Sequence, residues 1–240
     1  MRKILIALGL LLALSALLPA TADSSAPWTG MPRQGQMAIG LTGGLTQPIG
    51  QLGDDVRLDA NVGDSGLNLQ AGFNGGGFAD YFLTHRFAVG VFAQGGDLHM
   101  KDLRVTSESG TRTYEKLVTG RTTMFGLYGK YFFHPRGSWS SYGLLGAAHF
   151  DRKANLSRDI LAMYPDATVF EIRDDRVGWV GGLGSEYAWN DRLSIGLVAS
   201  VDYSGELDHD FPWMGHQTVV HDWSFLTLHA TATWHLGTNP

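Results

Sequence analysis

The chain of 240 residues carries 18 Lys and Arg against 23 Asp and Glu, a formal net charge of −5, and 0 cysteines. That balance disfavours a nucleic-acid partner, and the lack of cysteine excludes disulfides, thiolate metal sites and a lipid-modified cysteine. Charged residues make up 17% beside 32 glycines, below the roughly 25% charge of soluble domains, a deficit that contact with lipid would explain.

Arg2-Lys3, the uncharged apolar run Ile4 to Leu18 and then Pro19-Ala20-Thr21-Ala22 have the order of a secretory signal peptide, so residues 1–22 are expected to be removed. The run is shorter than the roughly 20 apolar residues of a spanning helix. Loss of Arg2 and Lys3 leaves 16 basic against 23 acidic residues, a net charge of −7. Residues 23–35, rich in Ser, Pro and Gly, read as a flexible lead. Period-two alternation then predicts strands over Gln36 to Gln47, Leu67 to Thr84, Arg86 to Met100, Arg121 to Phe133, Trp139 to Arg152, Arg176 to Trp189, Leu193 to Gly205 and Trp223 to Leu236. Short connections at Thr84-His85, His134 to Ser138 and Asn190 to Arg192 alternate with long ones around residues 48–66, 101–120, 153–175 and 206–222. The expected fold is all-β: an eight-stranded antiparallel up-and-down transmembrane β-barrel over residues 36–237, with a short tail at 238–240.

Strand faces follow from the alternation. Leu67, Leu69, Ala71, Phe73, Ala79, Tyr81 and Leu83 lie on one side, and Asn68, Gln70, Gly72, Asn74, Gly76 and Asp80 on the other. A soluble lipocalin-like barrel has the same pattern turned inside out. Its water-facing side, however, would carry about 25 to 35% charged residues, and the polar face here holds little beyond Asp80, Lys130, Arg176, Glu186 and Asp202. The apolar face is therefore assigned to lipid and the small, polar face to the lumen. Aromatics at the two membrane interfaces agree with this: Tyr81, Phe87, Tyr131, Phe133, Tyr142, Tyr187, Trp189 and Trp234 near the turns, and Phe125, Phe150, Trp179 and Tyr203 near the loops, are all read as outward. Phe78, Phe82, Phe92, Tyr128, Phe132 and Phe225 take inward parity and are expected to fill the lumen.

The Gly-rich strand-turn-strand Ala71 to Ala93, the strand Trp179-Val180-Gly181-Gly182-Leu183-Gly184 and the final strand Trp223 to Leu236 together carry a family resemblance. Trp234 and Leu236 keep the alternating apolar signal, and Gly237-Thr238-Asn239-Pro240 extends past it. The whole resembles the small outer-membrane β-barrel superfamily of OmpA-like, OmpX-like and opacity-type proteins, over essentially all of Gln36 to Leu236. The resemblance implies export to the cell outer membrane, with outer-membrane lipid and lipopolysaccharide around the wall. It also implies barrel-insertion machinery as an assembly partner, and long loops that meet extracellular partners.

An eight-stranded lumen is just wide enough to be filled by side chains. Asp80, Lys130 and Glu186 fall at similar distances before the three short turns, all with inward parity. An unpaired buried charge is costly, so Lys130 is expected to bridge the two carboxylates near the periplasmic end, and OmpA-like barrels are similar in holding such a network. A second inward polar group, His149, Arg176 and Asp202, is expected nearer the loops, with His229 lower on the last strand. Histidine beside a carboxylate can act as a general base, and two outer-membrane families that edit lipid A resemble this chain in size and strand number. The deacylase family carries a His-x-Ser-Asn type motif, whereas Leu228-His229-Ala230-Thr231 lacks its serine, so no catalytic residue is assigned. His209, Asp210, His216, His221 and Asp222 read as solvated loop residues rather than metal ligands, and no metal or cofactor is expected. Gly181-Gly182-Leu183-Gly184 sits inside a strand with no helix following, so its glycines relieve crowding rather than cradle phosphate. The apolar Ile160 to Tyr164 and Val169-Phe170 in the third long loop form either a protruding hairpin, the preferred reading, or a sticky contact surface. The leading role is structural or surface-interacting and non-enzymatic. The alternatives are a narrow channel or OmpW-like route for small hydrophobic molecules, and a lipid A-modifying enzyme.

Overall fold

A strand with one face toward lipid and one toward a packed lumen needs apolar side chains alternating with small or polar ones, and one closed sheet carries that pattern here. The computed structural model describes residues 34–49, 69–100, 103–107, 110–114, 118–133, 138–156, 171–211 and 217–236. The expected signal peptide, most of the lead, the apolar stretch from Ile160 to Phe170, His216 and the C-terminal tail lie outside them. The strands are β1 (Met37–Ile49), β2 (Leu69–Gln70), β3 (Gly72–Phe82), β4 (Phe87–Met100), β5 (Leu103–Ser107), β6 (Gly110–Tyr114), β7 (Val118–Phe132), β8 (Trp139–Leu156), β9 (Glu171–Ala188), β10 (Leu193–Phe211) and β11 (Gln217–Leu236).

β2 and β3 pair with the same neighbour, β4, and so make one wall strand. β5 and β6 form a separate two-stranded hairpin. The remaining order, β4-β3-β1-β11-β10-β9-β8-β7, closes through β4 with β7 into eight antiparallel wall strands, which removes the sheet edges. Paired residues followed once around the wall, from Gly184 through Val198, His229, Gly44, Asn74, Gly96, Thr122 and Arg152 to Asp174, return to β9 ten residues nearer the loops. Such a stagger goes with strands tilted roughly 35 to 45° from the barrel axis.

Side chains stabilise two of the short turns. Thr84 Oγ1 accepts from the backbone N–H of Arg86 and of Phe87 at 3.2 and 3.0 Å. Asn190 Oδ1 accepts from those of Arg192 and Leu193, both at 2.9 Å, as turn-forming Asn does. The long connections differ from expectation, because β8, β9, β10 and β11 all run past the predicted ends and β5 and β6 occupy a predicted loop. The reason is physical: the ladder from Glu206↔Asp222 to Phe211↔Gln217 is made by backbone groups, which pair whatever the charge of the side chains they carry. Gly205, at φ 96°, takes the left-handed conformation where the register slips between Tyr203 and Glu206, forming a β-bulge.

Large exposed residues fall on the outward parity of each wall strand: Leu41 on β1, Phe73 on β3, Val91 on β4, Leu127 on β7, Val177 on β9, Leu197 on β10 and Leu228 on β11. β8 reverses the expected faces. Tyr142 and Phe150 are fully buried inside, while Leu145 is 69% exposed. Leu144-Leu145 and Ala147-Ala148 put apolar residues on both faces, so hydropathy alone does not choose between them. Arg152 does, since it shares parity with Tyr142 and Phe150, and the lumen is the side on which a guanidinium can be paired. The interior packs as two apolar clusters. One is built on Ala38, Phe82, Ala88, Phe132, Tyr142 and Val198 toward the turns, the other on Phe92, Met124, Tyr128, Ala148, Phe150 and Val180, and Leu144 touches both.

Candidate functional site

Three wall strands bring their inward charges to one level in the lumen. Asp80 on β3, Lys130 on β7 and Glu186 on β9 are 2%, 4% and 5% exposed. Lys130 Nζ lies 2.7 Å from Asp80 Oδ2 and 3.9 Å from Glu186 Oε1. Tyr128, two residues before Lys130 and so on the same face, donates its hydroxyl to Asp80 Oδ1. The ammonium also sits 4.6 Å from the ring centre of Phe78, 4.9 Å from that of Tyr142 and 5.4 Å from that of Tyr128, within reach of cation–π attraction.

Glycines opposite these groups make the room. Gly90 pairs with both Asp80 and Tyr128, and a Cβ there would stand 2.7 Å from the Tyr128 ring. Gly184 pairs with Tyr142, and a Cβ there would collide with that ring. The single ammonium offsets one of the two carboxylates, most directly Asp80, in a low-dielectric space where an unmatched charge costs several kcal/mol. It also competes with any metal ion for those carboxylates.

Nearer the loops the arrangement departs from expectation. Asp202 is buried and Arg176 keeps its inward parity, but His149 does not join them. It lies on the outer face with the rest of its parity on β8. His149 Nε2 is 2.6 Å from Asp175 Oδ1, and its ring stacks on Phe125 with centres 4.9 Å apart. Beside it, Arg173 Nε lies 3.3 Å from Asp151 Oδ1. The inward cation of β8 is instead Arg152, fully buried, with its guanidinium 4.2 Å from the Phe150 ring centre and 4.6 Å from that of Phe225. Arg152 also donates to Ser204. Asp202 accepts from Thr227 at 3.2 Å and from Ser200 at 3.5 Å. Arg152 and Tyr142 are the lumenal residues that sequence reasoning missed, and Tyr128, expected inside, was not expected to bond Asp80. For Arg152 the signal was present, because a cation inside a predicted wall strand must face the lumen.

Below the charged trio, Phe82 and Phe132 stand 5.9 Å apart and Phe132 and Tyr142 5.3 Å apart, ring centre to ring centre. Between the trio and Asp202 is a cavity of about 60 Å³ bordered by Phe78, Phe92 and Tyr128 on one side and by Thr42, His229 and Thr231 on the other. Charged and aromatic side chains crowd the lumen around a small pocket lined by both polar and apolar residues.

The profile of a family described as outer membrane protein beta-barrel domain matches residues 8–211. No curated protein matches the chain. Among solved structures, the outer membrane protein OprG from Pseudomonas aeruginosa is similar over 88% of this chain and 100% of its own, at 14% identity and a TM-score of 0.60. Neisserial surface protein A is similar over 82% of this chain and 96% of its own, at 10% identity and a TM-score of 0.52. Likeness at these identities speaks to the fold alone.

Proposed function

The chain belongs to the outer membrane protein β-barrel family, and from that membership we propose a closed, non-catalytic wall protein that supports the envelope and meets partners outside the cell. The observation that carries this reading is the plug. A hydrated ion crossing the lumen has to part the 2.7 Å Lys130–Asp80 contact and the rings beneath it, and at the other end to displace Arg152 from between Phe150 and Phe225. In low dielectric these pairings are strong.

Two features support surface interaction. β8 to β11 extend past the bulge at Gly205, which puts strand surface beyond the apolar band. The outer-wall pairs His149–Asp175 and Arg173–Asp151 stand loopward of Leu127 and Leu145, from the level of Val177 outward, where lipopolysaccharide headgroups would meet the barrel. Planar bilayers test the closed lumen: the purified protein in potassium chloride should give no steady current at any moderate voltage. Regular single-channel steps would overturn the reading in favour of the narrow channel.

A further inference from the structure

The inward face of β11 reads Thr227, His229, Thr231, Thr233, His235, and each of these five is more than nine-tenths buried. A packed lumen does not need five successive hydrogen-bonding groups, since Val or Leu would fill the same space without the cost of desolvating polar atoms. The column is tied at both ends. Thr227 donates to Asp202 at 3.2 Å on the loop side, and Ser194 Oγ lies 2.9 Å from His235 Nε2 on the turn side. Between these ties, His229 Nε2, Thr231 Oγ1, Thr233 Oγ1 and His235 Nδ1 have no hydrogen-bond partner among the described residues, and neither does Thr42 Oγ1 on neighbouring β1. His229, Thr231 and Thr42 open on the cavity of about 60 Å³, which also reaches Lys130 and Asp202.

Distances decide what can join them. Successive inward side chains on a strand are about 6.6 to 6.8 Å apart at the backbone, too far for a direct hydrogen bond, and one water links them where the side chains lean together and two where they do not. At about 10 to 15 Å³ for each water, the cavity has room for on the order of four. Leaving a buried polar group unpaired costs about 1 to 3 kcal/mol, so these sites favour water strongly.

We propose that the β11 column and its cavity hold a file of water that carries protons, and not ions, between the two ends of the lumen. A threonine hydroxyl accepts one hydrogen bond while donating another, and a neutral imidazole does so through its two nitrogens. Each group therefore takes a proton on one side and releases one on the other, so a proton that enters near Asp202 is matched by one leaving near His235; each hydroxyl is then left turned and each imidazole in its other tautomer, and their return to the starting orientation and tautomer readies the file for the next proton. Potassium and chloride cannot follow, because they would have to shed their hydration and pass the plugs. The inference rests on the closed lumen proposed above.

The test uses the purified barrel in sealed liposomes with an entrapped pH dye, a potassium gradient and valinomycin to set the potential. Acidification should be several times faster than in protein-free vesicles. Thr231→Val and His229→Leu should return it to the protein-free rate while keeping the shifted gel mobility of a folded barrel, and Thr231→Ser should retain it. A wild-type rate equal to that of empty vesicles, or a Thr231→Val rate equal to wild type, would overturn the inference. If Thr231→Val does not fold, Thr231→Ala against Thr231→Ser gives the same decision. Potassium chloride current in the same preparation separates the two readings: an ion current overturns the closed lumen and this inference with it, whereas no current and no proton flux overturns this inference alone.

Discussion

Lys130 answers two carboxylates unequally, at 2.7 Å from Asp80 and 3.9 Å from Glu186, and the consequences of removing each partner should differ accordingly. Lys130→Met leaves both acids buried without a counter-charge and should destabilise the barrel by about 3 to 5 kcal/mol, read from reversible urea unfolding in phospholipid vesicles. Asp80→Asn should cost more than Glu186→Gln in the same assay, because Asp80 also accepts the Tyr128 hydroxyl. Equal losses would show that the ammonium sits midway. The three charges were legible in the sequence, since a charge within a wall strand has one affordable direction. The same rule applied to Arg152 yields the facing of β8 and moves His149 to the outer wall. It was hidden by Tyr142 and Phe150, which look like interface aromatics when hydropathy is read alone.

At the scale of the strand, facing and crowding are separate constraints. Leu197 on β10 is exposed on the lipid side, and Leu197→Arg should cost about 2 to 4 kcal/mol near the bilayer midplane, measured as a shift in the unfolding midpoint. Inward glycines answer to packing instead. Gly90→Ala would press on the Tyr128 ring and should lose about 1 to 3 kcal/mol by overpacking, whereas Gly95→Ala, whose nearest neighbour would be 3.7 Å away, should change the midpoint little. β3 and β4 were readable because one parity is apolar and the other mostly small or polar, and β7 because Lys130 fixes its inward parity. β8 was not, because Leu144-Leu145 offers lipid and lumen equally good side chains. The strand extensions were missed for a different reason: Glu206, Asp208 and Asp210 alternate with Leu207, His209 and Phe211, but the density of charge made the segment read as a loop although its backbone pairs.

For the whole molecule, closure follows from β4 meeting β7 and from a stagger of ten residues around eight strands, and it leaves an interior that side chains can fill. The eight-strand count, the tight turns at Thr84-His85 and Asn190 to Arg192 and the lumenal level of Asp80, Lys130 and Glu186 were within reach of spacing and parity, and His134 to Gly137 of the remaining turn lie outside the described residues. The pairing distances were not, because they depend on which strands become neighbours across the closed wall, and the same holds for which groups of the β11 column find a partner. The central claim is sidedness, with lipid against the greasy parity and packed charge and aromatics within. With 0 native cysteines, single spin-labelled cysteines from Gly143 to Ala148 on β8 test it directly in lipid vesicles. Collision with dissolved oxygen should peak at Gly143, Leu145 and Ala147 and fall at Leu144, Gly146 and Ala148. Peaks at the even positions, or a flat profile, would contradict the account.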